Sequence, residues 1–361
     1  MRTRHVIAIA LLGACAGCLP QLQLEDPELA PTDVETTLFL IGDAGEADPR
    51  APRGGVPLES LTVQASVAPQ RSVIVFLGDN VYPDGIPAEG VAEFADARRR
   101  LEAQVLAVPQ GARAFFIPGN HDWASELPYG LFSVRRQEQL ITSMARGRDV
   151  RMLPGDGCPG PVTLDVGRLR LLALDTQWWL HNYIVRDSST RCPPTTTGDV
   201  TAELRRQVAA PGEKRVVIVA GHHPLMTGGE HGGYCGITGP FRRFAGRLQD
   251  VLSSANQRMR DSIESAMSAA PPLAYAAGHD HSLQVLYGGE TVKFILVSGA
   301  GSASKGSCAV RLRESYYTSP HRSGFMRLDI LRNQGVLLRV YRFTAAGSGG
   351  LAYSLWLEEK P

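Results

Sequence analysis

Short, nearly unbroken apolar runs recur along the chain at Thr36 to Ile41, Ser72 to Leu77, Ala112 to Ile117, Arg215 to Ala220, Leu273 to Ala277 and Val292 to Val297. Runs of this length, rich in β-branched and aromatic residues, predict strands buried on both faces. Helical spacing separates them. Val91, Phe94, Leu101, Val105 and Val108 predict an amphipathic helix over 90–108, with Arg98, Arg99 and Glu102 outward. A short helix is expected between Ala44 and Gln70, and others over Phe132 to Arg146 and Thr201 to Ala210. The longest is expected from Phe241 to Ala269, where Phe241, Phe244, Leu248, Val251, Met259 and Ile263 share one face. Val162 to Leu174 reads as a hairpin turning at Gly167-Arg168, and the tail is strand-like at Gly324 to Ile330, Val336 to Phe343 and Leu351 to Trp356. Helices first alternate with strands and then strands dominate, which predicts an α/β fold of two mixed sheets packed together with helices outside.

With 361 residues, 43% of them hydrophobic, the chain can bury a large core. No repeat or second linker divides it, so residues 34–361 are read as one domain. Lys and Arg total 37 against 36 Asp and Glu, which offers no basic field for nucleic acid. The N-terminus differs in character. Arg2 and Arg4 precede the apolar stretch Val6 to Leu12, too short to span a bilayer and shaped like the core of a signal peptide. Leu12-Gly13-Ala14-Cys15 resembles a bacterial lipobox, with Cys15 the lipidation candidate and Cys18 a second one; the alternative is a leader cleaved without lipid. Residues 1–18 are read as this signal and 19–33, with Pro20, Pro27 and Pro31, as a tether. The mature protein is therefore expected outside the cytoplasm, in the bacterial cell envelope, the periplasm or the medium, touching membrane only through a lipid anchor. In that setting Cys158, Cys192, Cys235 and Cys308 are disulfide candidates. Three connectivities are open, of which Cys158 with Cys192 and Cys235 with Cys308 close adjacent loops.

Chemistry enters where the strands end. Five runs finish in glycine followed by metal-binding side chains: Gly42-Asp43, Gly78-Asp79-Asn80-Val81-Tyr82, Gly119-Asn120-His121-Asp122, Gly221-His222 and Gly278-His279-Asp280-His281. Carboxylate, phenol, amide and imidazole suit iron, manganese or zinc. At the carboxyl ends of strands they face the crevice where open α/β sheets bind ligands. Two cations there, sharing a carboxylate, would polarise a phosphoryl oxygen and generate hydroxide at mild pH, so phosphate-ester hydrolysis is the expected task. Singly, each residue has a plainer reading: Asp43 and Asp79 as helix caps, Asn120 in a turn, His222 as a satisfied core histidine and Tyr82 as core. Their joint recurrence outweighs these.

GDAG at 42–45, GDNVY at 78–82, GNHD at 119–122, VAGH at 219–222 and GHDH at 278–281 resemble, in order, the blocks of calcineurin-like metallophosphoesterases. Tyr82 within GDxxY narrows the resemblance to purple acid phosphatases, and Glu230-His231-Gly232 with Ser298-Gly299-Ala300-Gly301 looks like their small, mammalian-type, tartrate-resistant branch. The resemblance implies a four-layer α-β-β-α sandwich and a dinuclear centre of ferric iron plus a divalent iron, zinc or manganese ion. Asp43, Tyr82 and His281 would hold the ferric ion, Asn120, His222 and His279 the divalent one, with Asp79 bridging. His121 would contact the phosphate with Asp122 orienting its ring, and His231, with Glu230 beside it, would bind substrate or protonate the leaving group. The implied activity is that of an acid phosphatase, attacking small phosphate monoesters with a metal-held hydroxide, at acidic pH and as a monomer. A phosphodiesterase on the same scaffold is the alternative.

His223 is expected to point away from the metals, and Trp178, Trp179 and His181 either to wall the entrance or to close a core edge. His5 and His321 carry no argument. The segment Glu46 to Pro57, the loop Trp178 to Gly198 and the helix after Pro240 have no counterpart in the resemblance, so substrate choice is where this chain is expected to differ.

Overall fold

The computed structural model describes residues 26–46, 54–181, 192, 196–210, 215–235, 249–302 and 306–359. Cys15, Cys18, His5 and residues 19–25 of the tether lie outside these residues. Among the described residues, fourteen strands form two seven-stranded mixed sheets. In the first, β1 (Val34–Ile41), β2 (Ser72–Phe76), β3 (Arg113–Phe116) and β4 (Asp149–Met152) run parallel in that order. The antiparallel tail strands β12 (Ser323–Leu331), β13 (Val336–Phe343) and β14 (Gly349–Glu358) extend the sheet beyond β1. The second sheet has β6 (Leu169–Ala173), β7 (Val216–Ala220), β8 (Ala274–Ala277) and β10 (Phe294–Ser298) parallel at its centre. β5 (Val162–Val166) flanks it on one side, and β9 (Leu283–Tyr287) then β11 (Ser315–Ser319) on the other.

The unbroken apolar runs are explained by burial on both faces. Along β1 and β2, Leu38, Leu40, Val73 and Val75 meet Ile218, Ala276, Val285 and Leu296 of the other sheet in a shared inner core. Their alternates Phe39, Ile41, Ile74 and Phe76 pack outward with residues of α1 (Val56–Ala65), α2 (Phe94–Leu106) and α3 (Gly130–Ala145). On the far side, Val217, Val219 and Tyr275 pack against α5 (Thr197–Ala209) and α6 (Ser254–Met267). Helices on both outer faces complete the four layers; the short α4 (Gln177–Leu180) follows β6.

The long helix expected from Phe241 to Ala269 is not formed as such. Residues 236–248 lie outside the described residues, and the helix α6 starts only at Ser254, where the Ser253 hydroxyl accepts from the Asn256 amide. Val251 is buried, as its place in the apolar pattern required, but in a turn whose amide donates to His231 O at 3.0 Å. Cys158 pairs with Cys192 and Cys235 with Cys308. Two disulfides point to an oxidising, exported setting. Among the described residues no helix is long and apolar enough to cross a membrane.

Candidate metal centre

The parallel strands β1, β2 and β3 of one sheet and β7 and β8 of the other release their chains toward one place. Asp43, Asp79 and His279 turn there with positive φ, 57°, 53° and 69°, a conformation that costs side-chain-bearing residues about 1–3 kcal/mol each and accumulates at functional sites. Glycines make the close approach possible. At Gly78, φ is +91° and a Cβ would fall on His222 Nδ1, while at Gly278 a Cβ would lie 2.5 Å from Asp43 Oδ2.

Each carboxylate divides its oxygens. Asp43 Oδ2 accepts from the His279 amide at 2.8 Å and Asp79 Oδ1 from the His121 amide at 2.9 Å. The other oxygens face the cluster. Tyr82 Oη is 3.0 Å from Asp43 Oδ1, Asp79 Oδ2 and His281 Nε2 alike. A single phenol proton cannot serve three such partners. On the other side, His222 Nδ1 lies 2.8 Å from Leu77 O and His279 Nε2 3.0 Å from Gln249 O. A carbonyl only accepts, so these nitrogens carry protons and each ring turns its other nitrogen, His222 Nε2 and His279 Nδ1, toward the cluster. Those two nitrogens stand 3.2 Å apart and 3.0 and 3.1 Å from Asn120 Oδ1. Oxygens and nitrogens crowded this closely are what a cation would hold together. Ligand atoms bonded at about 2.1 Å in an octahedral shell lie about 3.0 Å apart, so both groups fit a divalent or trivalent ion. Asp79 Oδ2 reaches both, being 3.4 Å from His222 Nε2.

The titrating groups respond to this crowding. Burial, then Asp43 and Asp79, push the Tyr82 phenol well above its usual range. Burial alone would lower His222, but Asp79 outweighs it and lifts the ring to about 9. Burial likewise opposes ionisation of Asp79, yet His222 and His121 hold its carboxyl low. His279 is pushed down by burial and by the neighbouring histidines His231, His223 and His222. A metal entering here must displace protons from Tyr82 and His222.

Geometry alone also groups His223 with His222 and His279, all three offering a nitrogen within 4.8 Å. Hydrogen bonding argues otherwise. His223 Nδ1 meets Thr176 Oγ1 and Nε2 meets Gln249 Oε1, each at 2.8 Å, so both nitrogens are engaged away from the cluster, in keeping with the sequence expectation.

His121 sits at the mouth, its ring 4.4 Å from that of Tyr82 and Nε2 3.9 Å from Asp79 Oδ2. Asp122 does not orient it, contrary to expectation. Its carboxylate accepts from the amides of Gly119, Asn80 and Val81 at 2.8, 3.0 and 3.1 Å, tying the second and third donor loops together. His121 Nδ1 instead meets Pro83 O and, at 3.2 Å, Ser125 Oγ. Burial, then the charge of Asp79, raises Asp122 to about 7. Across the mouth, the His231 ring lies against that of His279, with centroids 3.9 Å apart and planes tilted by 32°, and the adjacent Glu230 is exposed.

Several supports escaped the sequence reading. Asp250 Oδ1 lies 3.0 Å from His231 Nδ1, and Asp280 Oδ1 accepts from the His231 amide at 3.1 Å. Ser302 Oγ donates to Asp43 O at 2.5 Å, and the Gly42 amide to Ser298 O at 2.7 Å, so the Ser298 to Gly301 stretch braces the first donor loop. Trp178 and Trp179 meet edge to face, their ring centroids 5.6 Å apart, and both pack against the core of the second sheet. His181 rests against Trp123, whose indole donates to buried Asp175 at 2.8 Å. His321 is exposed, its amide donating to Ser307 O at 2.9 Å.

A family model described as Calcineurin-like phosphoesterase matches residues 58–282, taking in every donor from Asp79 to His281 and leaving Asp43 outside. No curated protein matches the chain. Among solved structures, GAP50, the anchor in the inner membrane complex of Plasmodium, is 15% identical, aligns over 91% of this chain and 90% of that one, and has a TM-score of 0.56. That likeness shows the fold alone. The calcineurin-like phosphoesterase YfkN from Bacillus subtilis is 12% identical over 90% of each chain, with a TM-score of 0.37, too low to carry any argument.

Proposed function

The chain belongs to the calcineurin-like phosphoesterase family, and from that premise we propose that it is a dinuclear acid phosphatase of the purple type, hydrolysing small phosphate monoesters. The observation that carries this reading is the Tyr82 phenol set among Asp43, Asp79 and His281, each at 3.0 Å. Two carboxylates and a phenolate are hard anionic donors that favour a trivalent ion, assigned as iron. Asn120, His222 and His279 are neutral and suit a divalent iron, zinc or manganese ion, with Asp79 serving both. Bound there, the pair supplies Lewis-acid polarisation of the phosphate and a nucleophilic oxygen at mild pH.

The chain's own groups do the rest. The left-handed turns at Asp43, Asp79 and His279 hold the donors before any ligand arrives, so binding need not order them. His121, partly exposed at the mouth, is placed to contact a phosphate oxygen. His231 faces it across the cluster as the proton donor to the leaving oxygen, with Glu230 at its side. The protein is proposed to work as an exported monomer, lipid-anchored at Cys15.

The reading is tested on protein loaded with iron and zinc. The expected result is a visible tyrosinate-to-iron band that disappears in Tyr82→Phe, with phenyl phosphate turned over at least ten times faster than bis(p-nitrophenyl) phosphate, about 1.4 kcal/mol of discrimination. A colourless protein that prefers the diester would replace it with a phosphodiesterase.

A further inference from the structure

We propose that Asp250 is a positioning residue that holds His231 with its Nε2 presented to the leaving oxygen of the ester. This deepens the monoesterase reading and rests on it. Asp250 is 1% exposed, yet its carboxylate reaches the ring of a partly exposed histidine nineteen residues earlier, with Oδ1 3.0 Å from Nδ1. Their backbones are locked as well, the Val251 amide donating to His231 O at 3.0 Å. Asp280 accepts from the His231 amide and the ring lies over His279, so rotation of the imidazole is restricted on several sides. Among the described residues, His231 Nε2 has no hydrogen-bond partner.

A carboxylate on Nδ1 keeps a proton on that nitrogen and leaves the second one for exchange with substrate. When the phosphorus–oxygen bond to the leaving group breaks, the Nε2 proton passes to the departing oxygen. Water supplies the new phosphorus–oxygen bond and releases its proton to solvent, which later restores His231; Asp250 remains a carboxylate throughout. Gln249, next in the chain, caps His279 through its carbonyl and His223 through its side chain. One turn thus fixes the imidazole of the donor and that of a metal-site histidine together.

A purely structural role for Asp250 would impair all substrates alike, whereas a proton donor matters most when the leaving oxygen is strongly basic. The experiment compares an alkyl phosphate with p-nitrophenyl phosphate for parent, Asp250→Asn, Asp250→Glu, His231→Ala and the Asp250→Asn/His231→Ala double variant. Asp250→Asn is expected to lower kcat on the alkyl ester by about 100-fold, and at least about tenfold more than on the nitrophenyl ester, with KM within about a factor of two. Asp250→Glu should recover part of the loss, and the double variant should be no slower than His231→Ala. Equal losses on both esters, or multiplying losses in the double variant, would overturn the proposal. If the parent hydrolyses neither ester, the monoesterase reading fails by itself, and the pairing is decided by long-range 15N–1H NMR of the metal-free protein. A His231 Nδ1 proton seen in the parent and lost in Asp250→Asn supports Asp250 as the positioning group; an Nδ1 signal unchanged by the substitution overturns it.

Discussion

Asp43 and Asp79 each spend one oxygen on a backbone amide and aim the other into the cluster, so their orientation does not depend on what they bind. That division rests on left-handed backbone at both residues, a strain the surrounding hydrogen bonds must sustain. Asp175 shows the opposite use of a buried carboxyl. Burial lifts it to about 7, even though the Trp123 indole and the Trp178 amide donate to it. An unfolded aspartate titrates near 3.9, so between about pH 4 and 7 the native state holds a proton the unfolded chain has released. Stability associated with Asp175 is therefore fully present below pH 4 and lost as pH rises through 7. Asp175→Asn removes that dependence while keeping an acceptor for Trp123. Urea unfolding across this window should show the variant gaining on the parent as pH rises, by at most about 4 kcal/mol. A constant difference from pH 4 to 7 would show that Asp175 is charged in the native state.

At the scale of elements, the turn before α6 decides how the second half of the site is held. Its N-cap is Ser253, and Ser253→Ala should reduce stability by about 1 kcal/mol, read from denaturant midpoints at unchanged slope. A loss below about 0.3 kcal/mol would show the cap to be dispensable. This turn was illegible in the sequence because Leu248, Val251, Met259 and Ile263 keep helical spacing, whereas Val251 is buried within a turn whose amide donates to His231 O. The same gap hid Gln249 and Asp250, although the Ser253 to Asn256 spacing is itself a cap signal. β4 and β11 were missed for another reason: Asp149–Met152 alternates exposed and buried positions over only four residues, and Ser315–Ser319 is largely polar around buried Tyr317. By contrast β1, β2, β7 and β8 were legible, since burial on both faces leaves continuous apolar runs, and the glycine that ends each run marks where a donor follows. The role of Asp122 was not readable, because its partners are backbone amides brought near only by folding.

Across the whole molecule, the donors come from two sheets that share no strand. Asp43, Asp79, Tyr82 and Asn120 belong to loops of the first, His222, His279 and His281 to loops of the second, and interdigitated apolar side chains join the two beneath them. Seated ions would therefore act as a clasp as well as a reagent. Opening the sandwich by even a small slide would unseat them, and keeping them seated opposes the slide. A species that binds only the closed form stabilises it by about 4 kcal/mol at a thousandfold excess over its Kd. Calorimetry of loaded and chelated protein should thus show a lower midpoint after chelation, by several degrees; identical midpoints would mean that the sheets hold together without regard to what lies between their loops. The corollary concerns ageing rather than rate. An exported protein has no cytoplasmic chaperone to refold it, and its working lifetime would then be set by how long the clasp stays shut, making metal supply in its surroundings a determinant of how long each molecule survives.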